Sequence, residues 1–156
     1  MSPSIIKLVN QYDAIVCRLQ CLFTPLLLLF LRWWVASVFF AAGMLKLQSW
    51  DSTLFLFEVE YQVPVIPWLW AAYLGTAAEI ILPVFMFLGL LTRPMAAIFF
   101  VFNAMAVMSY PQLWEKGFYD HQLWGLMILV VVVWGPGIIS IDHWLKKKFA
   151  AGQTNN

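Results

Sequence analysis

Apolar positions first recur along the chain at helical spacing: Ile5, Leu8 and Val9, Tyr12, Ile15 and Val16, then Leu19. Lys7, Asp13 and Arg18 fall elsewhere on the wheel. This pattern predicts an amphipathic helix over residues 1–21, lying on a membrane surface. Beyond it the periodicity gives way to long apolar runs. Four of these are predicted to be membrane spans, at 22–47, 67–91, 94–114 and 121–139. Each is long enough to cross a hydrocarbon core of ~30 Å at ~1.5 Å per residue, the fourth being the shortest. Its end, "WGPGIISIDHW", predicts a break at Gly135–Gly137, followed by a basic interfacial tail over 140–149. The loop "QSWDSTLFLFEVEYQVPVIP" predicts a short helix that Ser49 or Asp51 caps, running to about Tyr61 and ended by Pro64 and Pro67. The expected fold class is an all-α membrane protein. It is a four-transmembrane-helix bundle with an N-terminal amphipathic interfacial helix and a short loop helix, and residues 1–156 form one membrane domain.

Composition sharpens this picture. The 156 residues are 63% hydrophobic and 11% charged, too little polar surface to cover a soluble domain of this size. The spans and their loops take up nearly the whole sequence and leave no room for a separate soluble catalytic domain. The first apolar run leads into a full span, so the N-terminal region is not read as a cleaved signal peptide. A net charge of +1 gives a nucleic-acid partner no electrostatic support. The bilayer itself is the first expected partner.

Charge is distributed unevenly across the two faces. Lys7, Arg18, Arg93 and Lys146–Lys148 fall on the side of the N-terminus, here side A. Side B receives Lys46 and Lys116 together with Asp51, Glu58, Glu60, Glu115 and Asp120, and a belt of Trp50, Trp68, Trp70, Trp114 and Trp124. Basic residues near span ends set orientation, so side A is expected to be cytoplasmic, with both termini inside.

Polar residues well inside the spans are few: Arg32, Glu79 and Asn103, one on each of three spans. From the helical rise, Arg32 lies ~12–15 Å from side A, Glu79 ~18 Å and Asn103 ~14 Å. A guanidinium at that depth costs at least ~2.5–3.5 kcal/mol and cannot escape by deprotonation. The cheapest arrangement pairs Arg32 with Glu79 and lets Asn103 complete the hydrogen bonds. Such a layer reads either as a clamp fixing helix register or as a polar pocket for a quinone headgroup, an anion or a proton. Pro83, four residues beyond Glu79, frees a backbone carbonyl there and favours a cavity. A second layer lies at the side B boundary. Lys46, fourteen residues after Arg32, faces the same way and is expected to snorkel. His121 meets the membrane at the same level, with Asp120, Tyr61, Glu58 and Glu60 as candidate neighbours. The ligand-binding candidates are therefore Arg32, Glu79, Asn103, Lys46 and His121.

Other signals add little. Cys17 and Cys21 are spaced i, i+4 without a further ligand set and read as packing cysteines. Met44, Met105 and Met108 lie toward His121, a soft donor set for Cu(I), but methionine is also ordinary filler in apolar bundles. No resident metal is expected. There is no CxxCH haem motif, no pair of span histidines and no glycine-rich phosphate loop. The small-residue stretches "AAG" and "GTAA" offer surfaces for close helix contact, within the bundle or between copies.

With these residues in view, the chain resembles the DoxX family of small four-span membrane proteins. The likeness runs through "LRWWVASVFFAAGMLKL", "FEVEYQVPVIP", "AAEIILPVFMFLGLLTRPMA" and "HQLWGLMILVVVVWGPGIISIDHWL", about residues 27–146. Its most specific pieces are "FAAGMLKL" with an upstream Arg, and "AAE" on the second span. The family's recurring charged positions would fall on Arg32, Lys46 and Glu79. The resemblance implies a four-helix bundle in the bacterial inner membrane. Relatives include a subunit of thiosulfate:quinone oxidoreductase and proteins tied to redox or sulfur-stress complexes. At most, then, the chain is expected to be a subunit of a quinone-linked oxidoreductase, with quinone as the candidate cofactor and soluble or membrane redox proteins as partners. The alternatives are a non-catalytic scaffold and a small-molecule or metal transporter.

Overall fold

A computed structural model describes residues 3–153; the first two residues of the expected interfacial helix, and both chain ends, lie outside it. Every regular element among the described residues is a helix. In order they are α1 (Pro3–Gln48), α2 (Trp50–Val59), α3 (Trp68–Leu88), α4 (Thr92–Ser109), α5 (Leu113–Lys116), α6 (Phe118–Trp134) and α7 (Ile141–Gln153). Three of these, α1, α3 and α4, are long and apolar enough to cross a membrane; α6 is apolar but shorter.

The expected division between an interfacial helix and a first span is absent. The two are one 46-residue helix that passes through Pro25 without ending, ~69 Å long by its rise. Its first buried residue is Leu28, and from there one stripe faces the bundle: Leu28, Leu31, Arg32, Val35, Ala36 and Phe39. This is the i, i+3, i+4, i+7 spacing of a helix with one packed face. Before Leu28 most of the large apolar side chains are exposed, and Pro25 lies beside Gly137 of the linker that follows α6.

The remaining helix ends follow local chemistry. α3 stops at Gly89, whose φ of 67° is the left-handed cap that glycine adopts without strain. α4 ends at Ser109, five residues before the expected boundary. Tyr110 precedes Pro111, is pushed out of helical geometry (φ −125°, ψ 89°), and leaves α5 as a separate turn. α6 starts at Phe118 rather than His121 and ends at Trp134, where Gly135 (φ 85°) and Gly137 (φ 76°) turn the chain toward α7.

α1 packs mainly along α3, and α4 along α6, with α1–α6 and α3–α4 contacts closing the bundle. Four helices share one apolar core: Leu31, Val35 and Phe39 from α1, Leu82 and Met86 from α3, Ala96 and Phe99 from α4, Ile128 and Val131 from α6. Phe39 is its centre, meeting Phe99, Phe102, Trp124 and His121 edge-on at centroid distances of 4.8–6.3 Å. On side B, α2 lies over the bundle mouth and packs Phe57 against Ala71 and Ala72 of α3.

Candidate functional site

The polar groups inside the bundle form two separate sets rather than one layer. Arg32 does not meet Glu79. It is fully buried, yet its Nη2 donates to the Ile139 carbonyl in the α6–α7 linker, while Nε and Nη1 find no hydrogen-bond partner. Its Nη1 lies where a Cβ on Gly89 would stand, so Arg32 is level with the α3–α4 turn. The expected depth was too great because the packed part of α1 begins at Leu28, not Leu22. Measured from there, Arg32 sits one turn inside the side A rim. It ties the linker to the turn between α3 and α4.

Asp142 completes that tie. Its carboxylate accepts from the Leu91 and Thr92 amides (both 2.8 Å) and the Thr92 hydroxyl (2.7 Å), and its own amide donates to the Gly89 carbonyl (2.9 Å). A residue at the start of α7 thereby caps α4, in place of the missing local cap at Leu91. Burial alone would raise this carboxyl; the hydrogen bonds from Thr92 and Leu91, with Lys146 nearby, bring it below the ordinary value of 3.8 instead.

Glu79 pairs with Lys46. The Lys46 Nζ stands 2.6 and 2.7 Å from the two carboxylate oxygens, and this is the only ion pair among the described residues. Helical side chains lean toward the N-terminus of their own helix. On α1 that direction runs from the side B rim into the bundle, so Lys46 turns inward rather than snorkelling. Gly43, one turn earlier, makes room: a Cβ there would come within 3.0 Å of both Ile80 and the Glu79 Cβ. The close approach of α1 to α3 sets the level at which the pair forms. The Thr53 hydroxyl, donated to the Lys46 carbonyl (3.0 Å), anchors α2 over it.

Asn103 joins His121 instead of Arg32. Its Nδ2 donates to the His121 carbonyl (2.9 Å) and its Oδ1 lies 2.8 Å from the imidazole Nδ1. Gly125, one turn after His121, leaves that carbonyl uncovered, since a Cβ there would press on the Asn103 amide at 3.1 Å. Trp124 packs against the imidazole at 4.8 Å.

Lys46, Glu79 and His121 all face one cavity of about 480 Å³, within the range of small-molecule and cofactor sites. Its other walls are apolar and aromatic, Phe39, Phe102 and Trp124 toward the core and Leu74 and Ala78 along α3. At the side B mouth Phe57, Tyr61 and Tyr110 stack in series at 4.4 and 4.7 Å. Tyr110 donates to Glu60 (3.0 Å), and the Gln62 amide to the Ser109 carbonyl (2.7 Å), which fastens the loop across the opening. Burial, and then the charge of Glu79, push the Tyr61 phenol up to about 12. Of the five candidates, three line the cavity, Asn103 holds one of them from behind, and Arg32 is outside it.

Sequence reasoning missed Asp142 and Tyr110, whose roles depend on segments fifty residues away. The clearest unused signals are the glycines: Gly43 three residues before Lys46, and Gly125 four after His121. Met105 borders the cavity, but Met44 and Met108 are exposed. Among the described residues no cluster of three His, Cys, Asp or Glu side chains forms a metal-binding group.

Several long apolar helices packed on an apolar core, with Arg32, Lys46 and Glu79 of the spans turned inward, define a multi-pass α-helical membrane protein. The DoxX family model matches residues 27–111, more than half of the chain, and the protein belongs to that family. That stretch carries Arg32, Lys46, Glu79 and Asn103. No curated protein and no solved structure matches the chain.

Proposed function

We propose that the protein is the membrane component of a redox system and that its cavity receives the headgroup of a lipophilic quinone. One observation carries this reading: a single ion pair and one imidazole are set into otherwise apolar, aromatic walls, open toward the side B surface. A ring with oxygens at opposite edges and an apolar tail needs such a pocket. Lys46 would donate to one oxygen, and the aromatic walls would cover the ring faces. The chain is then a subunit that binds the carrier, with electrons passing to or from a partner redox protein.

In this reading α6, ~26 Å long by its rise, is the fourth crossing, helped by the interfacial segments at its ends. The excess of Lys and Arg on side A supports an orientation with both termini in the cytoplasm and the cavity mouth on the far face of a bacterial inner membrane. The test is a titration of purified protein in detergent with decylubiquinone, followed by quenching of tryptophan fluorescence. Saturable binding that weakens about tenfold in Lys46→Met and is unchanged in Arg32→Met supports the proposal; no saturable binding removes it.

A second reading, a scaffold for soluble partners, is favoured by the part of α1 that stands clear of the bundle with Ile5, Leu8, Tyr12 and Ile15 exposed. It predicts that deleting residues 1–20 abolishes partner capture while leaving quinone binding intact.

A further inference from the structure

We infer that the cavity prefers the reduced, hydroxyl-bearing form of its ligand, because His121 is held in the tautomer that presents a bare lone pair to it. This deepens the quinone reading and rests on it.

The Asn103 amide can be placed only one way round. Its neighbour on one side is the His121 backbone carbonyl, which only accepts, so the group facing it must be the amide Nδ2 (2.9 Å). That leaves Oδ1, also only an acceptor, against the imidazole Nδ1 (2.8 Å). A hydrogen bond forms there only if Nδ1 carries the proton. In the neutral ring Nε2 is then unprotonated. Nε2 makes no hydrogen bond to any described residue, and His121 borders the cavity. Gly125 supports the lock by leaving the carbonyl reachable, and Phe39 and Trp124 fix the ring plane edge-on at 5.9 and 4.8 Å.

A quinone carries only acceptors, so it has nothing to offer this nitrogen. A quinol donates an O–H to it while its other oxygen still accepts from Lys46. Both redox forms share the Lys46 contact and the aromatic walls; only the reduced one satisfies Nε2. A bare acceptor buried against a carbonyl oxygen loses its own solvation without compensation. Asn103 and Gly125 are therefore positioning residues, acting through His121.

The test compares decylubiquinol with decylubiquinone on the detergent-purified protein under anaerobic conditions. The expected result is that the quinol binds about tenfold tighter, the discrimination of one hydrogen bond in a dry site. His121→Phe should bring the two affinities within twofold of each other, chiefly by weakening the quinol. Equal affinities in the unmodified protein, or a quinol preference that survives His121→Phe, would overturn the inference while leaving the cavity as a quinone site. Binding of neither form would remove the site and the inference together. An independent reading needs no cavity variant. In ¹⁵N-histidine-labelled His143→Gln protein only His121 is seen, and the proton should sit on Nδ1, with the Nε2 resonance moving on addition of quinol but not of quinone. A proton on Nε2 in the free protein would overturn the tautomer assignment.

Discussion

A guanidinium buried with no carboxylate in hydrogen-bonding reach behaves differently from one half of an ion pair. Arg32 gives one hydrogen bond to a backbone carbonyl and fills the space beside Gly89, so its value lies in packing and in tying the linker. Replacement by an apolar side chain of similar length should cost less than truncation: Arg32→Met about 1–2 kcal/mol, Arg32→Ala about 3–5 kcal/mol. Glu79 is coupled elsewhere. In double-mutant cycles read by unfolding in mixed micelles, Arg32→Met and Glu79→Gln should add to within about 0.5 kcal/mol, whereas Lys46→Met and Glu79→Gln should couple by about 1–3 kcal/mol. Strong Arg32–Glu79 coupling would contradict the arrangement described. That Arg32 and Glu79 face inward was legible in the sequence, since a charge well inside an apolar span has nowhere else to go; Lys46, near a span end, was expected to snorkel and instead turns in to Glu79. Which of them pair was not. The depth of a residue depends on where its helix enters the bundle, and an error of six residues at Leu22 against Leu28 displaces it by ~9 Å.

At the level of helices, the side A rim is held by contacts between distant segments. Asp142 caps α4 from α7, and Gly89 lets Arg32 and Ser140 close over the α3–α4 turn. Asp142→Ala should cost about 1–2 kcal/mol and release α7, seen as faster tryptic cleavage after Lys146–Lys148. The same contact sets an acid limit. A carboxyl held below its ordinary value lends stability above the ordinary range, near 3.8, and loses it as the pH falls through the lowered value. α7 should therefore become protease-sensitive below about pH 4 in the unmodified protein, with no such step in Asp142→Asn. Gly89→Ala combines a left-handed φ with a Cβ placed on the Arg32 guanidinium, and should lower stability by about 2–4 kcal/mol in the same assay. Helix existence was readable from apolar run length, and the break at Gly135–Gly137 from glycine, whereas the stop at Gly89 falls inside the expected span 67–91. The α1 junction was not, because an amphipathic stretch followed by an apolar one has the same local propensities whether the chain bends between them or runs straight. Pro25 does not settle the matter, since α1 runs through it.

Over the whole molecule, polarity is arranged along the bundle axis in three zones. Arg32 and Asp142 lie at the side A rim and the Lys46–Glu79–His121 cavity toward side B. Between them stands a plug of fully buried apolar side chains, Val35, Met86, Phe99, Ile128 and Val131. The broad division into apolar spans and polar rims could be read from the sequence. The plug could not, because nothing in a run of Val, Ile and Phe marks which of them meet in space. A monomer built this way should pass neither protons nor small anions: in proteoliposomes carrying a pH-sensitive dye, flux should equal that of empty vesicles, and a clear excess would count against the closed core. Toward side A the cavity is therefore blind. A ligand that enters it from the side B half of the molecule must also leave through that half, so arriving and departing molecules contend for the same space.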